Sequence, residues 1–82
     1  MEAKKKQISL NDLKVGQSGV VADILGGHRL ARRLEAMGVR KGKKINKVSG
    51  AFLWGPVTFK VGHTQISIGH GMANKVMVEI SA

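Results

Sequence analysis

Eight basic residues lie close together near the middle of this 82-residue chain. They fall between positions 29 and 47 with Glu35 as the only acid, so this stretch carries +7 of the net charge of +9. A patch of that density can bind nucleic-acid phosphates or an acidic protein surface, and its plainer interpretation is a solvated face. The eight residues are Arg29, Arg32, Arg33, Arg40, Lys41, Lys43, Lys44 and Lys47.

Three large apolar side chains, Phe52, Leu53 and Trp54, stand together between two predicted strands. Either they fold back and close one end of the domain, or they form an exposed patch for a partner. A small core filled by Val, Ile and Leu has little room for two more aromatic rings, because protein interiors are already densely packed. We therefore predict that this loop contacts a partner protein or, in a weak dimer, a second copy of the chain.

The three histidines give a weak signal for metal binding. A transition-metal site needs ligands that converge, whereas the closest pair, His63 and His70, lies on either side of a predicted strand. The chain contains no cysteine, which excludes disulfides, iron-sulfur clusters and Cys-based zinc sites. We predict no cofactor and no tight binding of ferrous iron by the isolated protein, with His63 and His70 as the only pair worth testing.

Catalysis is equally poorly supported. No serine lies in a nucleophile-elbow pattern, and no Walker pattern accompanies the 11 glycines, which the turns of a small β domain explain. The carboxylates of Asp12, Asp23, Glu35 and Glu79 are spread over four predicted elements. The sequence therefore predicts a binding protein rather than an enzyme.

One amphipathic helix positions part of the basic cluster. Residues 28 to 37 place Leu30, Leu34 and Met37 on one face, and Gly38 follows as a C-terminal cap. The arginines of this helix share one flank of the apolar stripe, and Glu35 lies on the other flank. We call them the helix arginines: Arg29, Arg32 and Arg33.

Short β-branched runs account for most of the other residues, and they predict a mainly β fold. We expect a small antiparallel barrel of about five strands with the helix inserted after the first strand, a hairpin turn at 62 to 63 and a short helical turn at 69 to 74. Residues 1 to 8 are predicted to be a disordered basic tail, and residues 9 to 82 a single domain whose first turn docks Leu10 and Leu13. The other predicted core residues are Val20, Ile24, Leu30, Leu34, Met37, Ile45, Val57, Phe59, Ile66, Ile68, Val76, Val78 and Ile80.

Neither a leader peptide nor a membrane span is expected. Lysines at 4 to 6 are followed by polar residues rather than an apolar segment, and no apolar run approaches the roughly 18 to 20 residues that cross a bilayer. These observations predict a cytoplasmic protein that does not insert into a membrane.

Five spaced motifs follow one another along the chain. They are Leu10-x-x-Leu13-x-x-Gly16, Arg33-Leu34-x-x-Met37-Gly38-x-x-x-Gly42-x-x-Ile45, Gly55-Pro56-Val57, Ile66-x-Ile68 and Ala73-x-x-Val76-x-Val78. This order resembles the family of ferrous iron transport protein A, FeoA, over nearly the whole chain after residue 8. The chain departs from the family pattern at Lys41, where Pro is common, and at Phe52 and Trp54, where Pro and Gly are common.

The resemblance implies an SH3-like barrel and a small cytosolic protein that supports or regulates FeoB, the membrane ferrous iron transporter with a cytosolic GTP-binding domain, by protein contact. We predict that the contact uses Phe52, Leu53, Trp54, Arg29, Arg32, Arg33, Arg40 and Lys41. The alternative is a nucleic-acid-binding SH3-like module that uses the basic face. The aromatic residues lie outside the basic cluster, which argues against that alternative because stacking platforms interleave the two.

Overall fold

Glycine turns divide the chain into six strands and three short helical segments in the computed structural model, which describes residues 4 to 50 and 55 to 81. The strands are β1 (Lys5–Ser9), β2 (Ser18–Ile24), β3 (Lys44–Ser49), β4 (Val57–Val61), β5 (Thr64–Ile68) and β6 (Val76–Ser81). The helices are α1 (His28–Ala36), α2 (His70–Ala73) and a 3-10 helix (Leu10–Asp12) between β1 and β2.

All six strands form one antiparallel sheet in the order β1-β6-β2-β3-β4-β5. The helix α1 lies in the connection between β2 and β3, and α2 lies between β5 and β6. The predicted mainly β architecture with one inserted helix and a short helical turn is confirmed, with six strands instead of about five. The sheet ends at β1 on one side and at β5 on the other.

The additional strand corrects the prediction of a disordered tail at residues 5 to 8, and residues 1 to 3 lie outside the described part of the chain. Residues 5 to 9 pair with β6 in continuous register, from Lys5 opposite Ser81 to Ser9 opposite Met77. The segment is polar and shows little apolar alternation, so its strand conformation depends on the backbone groups that β6 offers. Ile8 alone among these residues packs as a partly buried side chain against the core.

The core agrees with most of the predicted positions and differs in the phase of β2. Val21 is 1% exposed, whereas Val20 is 40% exposed, so the prediction that Val20 points inward is wrong. Two consecutive valines leave the inward phase of a strand ambiguous, and pairing with β3 and β6 decides it. The fully or nearly fully buried apolar residues are Leu10, Leu13, Val21, Leu34, Val39, Ile45, Val57, Phe59, Ile66, Ile68, Ala73, Val76 and Val78.

Four other predicted core residues are only partly buried. Ile24, Leu30, Met37 and Ile80 pack against the edge of the core. Turns form where the sequence places glycine: Gly38 follows α1 with φ +97°, and Gly62 begins the β4–β5 turn with φ +62°.

Candidate functional site

The helix α1 presents the helix arginines to solvent. Leu34 is its only buried residue and is fully buried, which fixes one face of the helix against the core. The helix arginines are all exposed. Arg29 and Arg32, together with His28, line a shallow groove of about 370 Å³ at the beginning of the helix.

The helix arginines form no close ion pair within residues 4 to 50 and 55 to 81. Neither of the two ion pairs in the described part of the chain involves any of them, since these pairs join Lys5 to Glu79 and Lys41 to Asp23. With three arginines and Glu35 as the only acid of α1, this part of the helix is a positive surface.

Arg40 and Lys41 follow the helix in sequence and are exposed, but Lys41 is partly neutralised. Its Nζ lies 3.6 Å from Asp23 Oδ1, across a groove of about 310 Å³ that Glu35 and His28 also line. Both side chains of the pair are largely exposed, so the pair contributes little to stability. Its effect is to reduce the positive potential at this end of the cluster.

Lys47 differs from the rest of the basic cluster because it is buried. The prediction that placed Lys47 with the exposed basic residues is therefore wrong. Its side chain is 5% exposed and lies within the sheet domain. Nζ donates hydrogen bonds to the carbonyl oxygens of Leu10 at 3.2 Å and Asn11 at 2.8 Å. Burial lowers the pKa of the Lys47 ammonium, and the negative charge of Asp12 opposes that shift.

The backbone of Lys47 holds the same region. The Lys47 N–H donates to the carbonyl of Gln17 at 3.1 Å, and its carbonyl accepts from the Gly16 N–H at 2.8 Å. Gly50 packs directly on the side chain, because a Cβ at that position would lie 2.3 Å from Lys47 Cε. Lys47 therefore fastens the connection between β1 and β2 to β3, and it is unavailable to a partner.

The alternation of β3 is the signal that identifies Lys47 in the sequence. Ile45 faces the core, and Lys47 follows two residues later on the same face of the strand. An inward lysine needs oxygen acceptors, which the carbonyls of the 3-10 helix supply. A count of charges along the sequence does not distinguish Lys47 from the exposed basic residues, whereas the two-residue period of the strand does.

The two histidines selected for a metal test lie at opposite ends of β5. His63 is exposed in the β4–β5 turn, and His70 begins α2. The ends of a five-residue strand are roughly 13 Å apart, too far for one ion. Within residues 4 to 50 and 55 to 81, no group of three metal-ligating side chains converges.

The predicted contact loop at Phe52, Leu53 and Trp54 lies outside the described residues. In the sequence it lies between β3 and β4. Across the described ranges, no helix is long and apolar enough to span a bilayer.

The family comparison agrees with the five sequence motifs. A model of the FeoA domain matches residues 8 to 80 of the chain. This chain belongs to the FeoA family. The resemblance derived from the motifs is thereby confirmed, and the chain is a member of a family associated with ferrous iron transport.

Individual FeoA proteins are similar in sequence and in fold. A relative from Methanocaldococcus jannaschii, whose name assigns it to Fe(2+) transport as protein A, is 35% identical over 66 residues, which are 80% of this chain and 78% of that protein. A crystal structure of an iron uptake regulatory protein, FeoA, is 33% identical with a TM-score of 0.81 and covers 92% of this chain and 99% of the other.

Two further structures bear on the fold. Stenotrophomonas maltophilia FeoA, solved with zinc and described as a procaryotic SH3 domain protein, has a TM-score of 0.76 at 27% identity, over 90% of this chain and 96% of its own. A manganese-dependent transcriptional repressor has a TM-score of 0.80 at 16% identity over 44% of its length, a likeness of fold alone. The SH3-like fold predicted for this chain is confirmed.

Proposed function

We propose that this chain is a cytoplasmic accessory protein of ferrous iron uptake that regulates a FeoB-type membrane transporter by binding its cytosolic part. Membership of the FeoA family supports the connection to ferrous iron transport. In this proposal the chain acts through contact, without catalysing a reaction or carrying iron itself. Stenotrophomonas maltophilia FeoA, described as a candidate ferrous iron transport activating factor, is a precedent for such a role.

The observation that carries the proposal is the exposed charge of the helix arginines, none of which forms a close ion pair in the described part of the chain. They are exposed on a helix whose orientation is fixed by the buried Leu34. An ordered positive surface attracts an acidic protein surface and steers it before contact. Arg40 and Lys41 extend this surface, with Lys41 contributing less because Asp23 lies beside it.

The loop residues Phe52, Leu53 and Trp54 form the second part of the proposed contact. Aromatic residues lose little conformational entropy on binding, and Trp is enriched among the residues that dominate interface energies. In this arrangement the arginines govern the rate of association, and Trp54 governs how long the complex lasts.

Binding kinetics with the transporter's cytosolic domain test both parts. At low salt, the double variant Arg32→Glu and Arg33→Glu should reduce the association rate by about tenfold or more while its melting temperature stays within about 2 °C of wild type. The matched control carries the same charge change at Lys6→Glu and Lys14→Glu, exposed positions outside α1. Trp54→Ala should instead raise the dissociation rate.

Three outcomes would contradict the proposal. Wild-type protein that does not bind the transporter domain removes it entirely. If the arginine variant and the control slow association equally, the effect comes from the net charge of the protein rather than from the arginine surface. Binding to an RNA homopolymer that exceeds binding to the transporter domain, and that collapses with salt, favours the nucleic-acid module.

A further inference from the structure

The outer edge of β5 differs from the other edge of the sheet. β5 pairs with β4 alone, and no other strand or loop peptide in the described ranges bonds to it. Its residues Thr64–Ile68 include no charge and no proline, and the register with β4 has no bulge. Natural proteins usually protect an exposed edge strand with charged side chains, proline or a bulge, because an unprotected edge strand pairs readily with another strand.

The opposite edge has such protection. β1 contains Lys5 and Lys6, both exposed, and Lys4 precedes them. Charged side chains on an edge strand discourage pairing with a further strand. The two edges of one sheet therefore differ in the feature that decides whether a strand can be added.

The hairpin register identifies the peptide groups that β5 offers. Val61 and Thr64 flank a two-residue turn and form the first pair of the ladder, so they exchange both hydrogen bonds across the hairpin. Alternation then directs the N–H and C=O of Ile66 and Ile68 toward β4, and those of Gln65 and Ser67 away from it. Gln65 and Ser67 are also exposed residues.

The charge around this edge selects the kind of strand that fits. Between Glu35 and Glu79 the chain has no Asp or Glu, so β3 and β4 contain lysines and no acid, and β5 contains no charge. Lys60 on β4 is exposed directly opposite Gln65. A second copy of this chain would bring another +9 to the edge, whereas an acidic segment would be attracted.

We propose that an extended acidic segment of the transporter's cytosolic region adds to β5 as a seventh strand. The inference rests on the proposed function and names the binding mode. Backbone groups of Gln65 and Ser67 donate and accept the new hydrogen bonds, and Lys60 beside the edge favours carboxylates on the incoming strand. Strand addition of this kind derives its affinity from main-chain bonds and its specificity from the neighbouring side chains.

Amide hydrogen exchange tests which peptide groups of β5 bond to the incoming strand. It is measured by NMR on the complex with the transporter's cytosolic domain. Exchange at Gln65 and Ser67 should slow by at least about tenfold on binding, while Thr64, Ile66 and Ile68 change little because they already bond to β4. A complex that forms without new protection at these two amides overturns strand addition and leaves the proposed function intact.

A proline substitution tests the same bonds by affinity. Gln65→Pro removes an N–H that faces away from β4, which an edge strand tolerates, and should weaken binding at least tenfold. Gln65→Ala keeps the N–H and should bind as wild type does. Equal affinity of the two variants contradicts the proposal, and a melting temperature of Gln65→Pro close to wild type shows that the fold is retained.

Two other outcomes point elsewhere. Protection of Gln65 and Ser67 that grows with the concentration of the protein alone would assign the edge to a second copy of the chain and overturn the acidic segment. Absence of any binding by the wild-type protein removes the proposed function together with this inference.

Discussion

The helix α1 and the strand β3 both contribute to one basic stretch of sequence, yet they use their charges in opposite ways. On α1, the helix arginines are exposed and have no acidic partner in the described part of the chain. On β3, Lys47 is buried and donates to two backbone carbonyls. One region presents charge to a partner, and the other uses charge to hold the fold together.

The difference shows that a charge acquires its role from the oxygen atoms around it. A buried ammonium is costly unless oxygens replace its water, and the 3-10 helix supplies the carbonyl oxygens of Leu10 and Asn11. None of the described side-chain hydrogen bonds involves a helix arginine. These side chains are exposed, so solvent can hydrate their charges.

The largest effect expected in this comparison comes from Leu34, since this side chain turns the helix arginines outward. Leu34→Ala should lower the free energy of unfolding by about 2 to 5 kcal/mol, measured by denaturant titration, because a fully buried leucine leaves a cavity. Leu25, which is 48% exposed, provides the matched control, and Leu25→Ala should cost far less. Equal losses for both variants would show that α1 is not anchored through Leu34.

The next largest effect is expected for Lys47→Ala, which should lower the free energy of unfolding by about 2 to 4 kcal/mol in the same titration. Two charge-assisted hydrogen bonds are lost, and the Asn11 carbonyl loses its donor. Lys44→Ala on the same strand should change stability by less than about 0.5 kcal/mol, since Lys44 is exposed. If the two substitutions cost the same, Lys47 behaves as a surface lysine and the contrast between the regions disappears.

Gly50 sharpens the same prediction through a double-mutant cycle. A Cβ at Gly50 would displace the end of the Lys47 side chain, so Gly50→Ala should destabilise the wild-type protein by about 1 to 2 kcal/mol. In a Lys47→Ala background the same change should cost almost nothing, because the obstructed atoms are gone. Additive losses in the double variant would mean that Gly50 acts independently of Lys47.

The smallest expected effect is the pH dependence of stability due to Lys47. Its pKa is lower in the folded state than in the unfolded chain, so the unfolded state binds more protons between the two pKa values. The stability contribution of Lys47 should therefore increase as pH rises through that interval and stay constant below the folded pKa, where both states are protonated.

Comparison with Lys47→Met isolates this dependence from that of the other lysines. As pH rises toward the ordinary pKa of lysine, the unfolding free energy of wild type relative to Lys47→Met should increase, because the unfolded chain holds the Lys47 proton to a higher pH than the folded protein does. A shift in the opposite direction would mean that the buried ammonium is stabilised by its carbonyl partners more than burial disfavours it.

The sequence alone determined the local elements and the family. The i, i+4, i+7 spacing from Leu30 to Met37, ended by Gly38, defined α1 because a helix of that length needs only an apolar face and a cap. The Gly62 hairpin followed from local turn chemistry, since a two-residue turn requires a positive φ at its first position. These features depend on residues close together in the chain.

Three features were decided only by the tertiary structure. Residues 5 to 9 became β1 because β6 offered unpaired backbone groups, and strand pairing selected Val21 over Val20 as the inward residue. Lys47 turned inward because the carbonyls of the 3-10 helix, 36 and 37 positions away in sequence, lie beside its Nζ. The physical reason is common to all three: hydrogen-bond partners distant in sequence set the outcome, and no local pattern records which partners the fold will bring together.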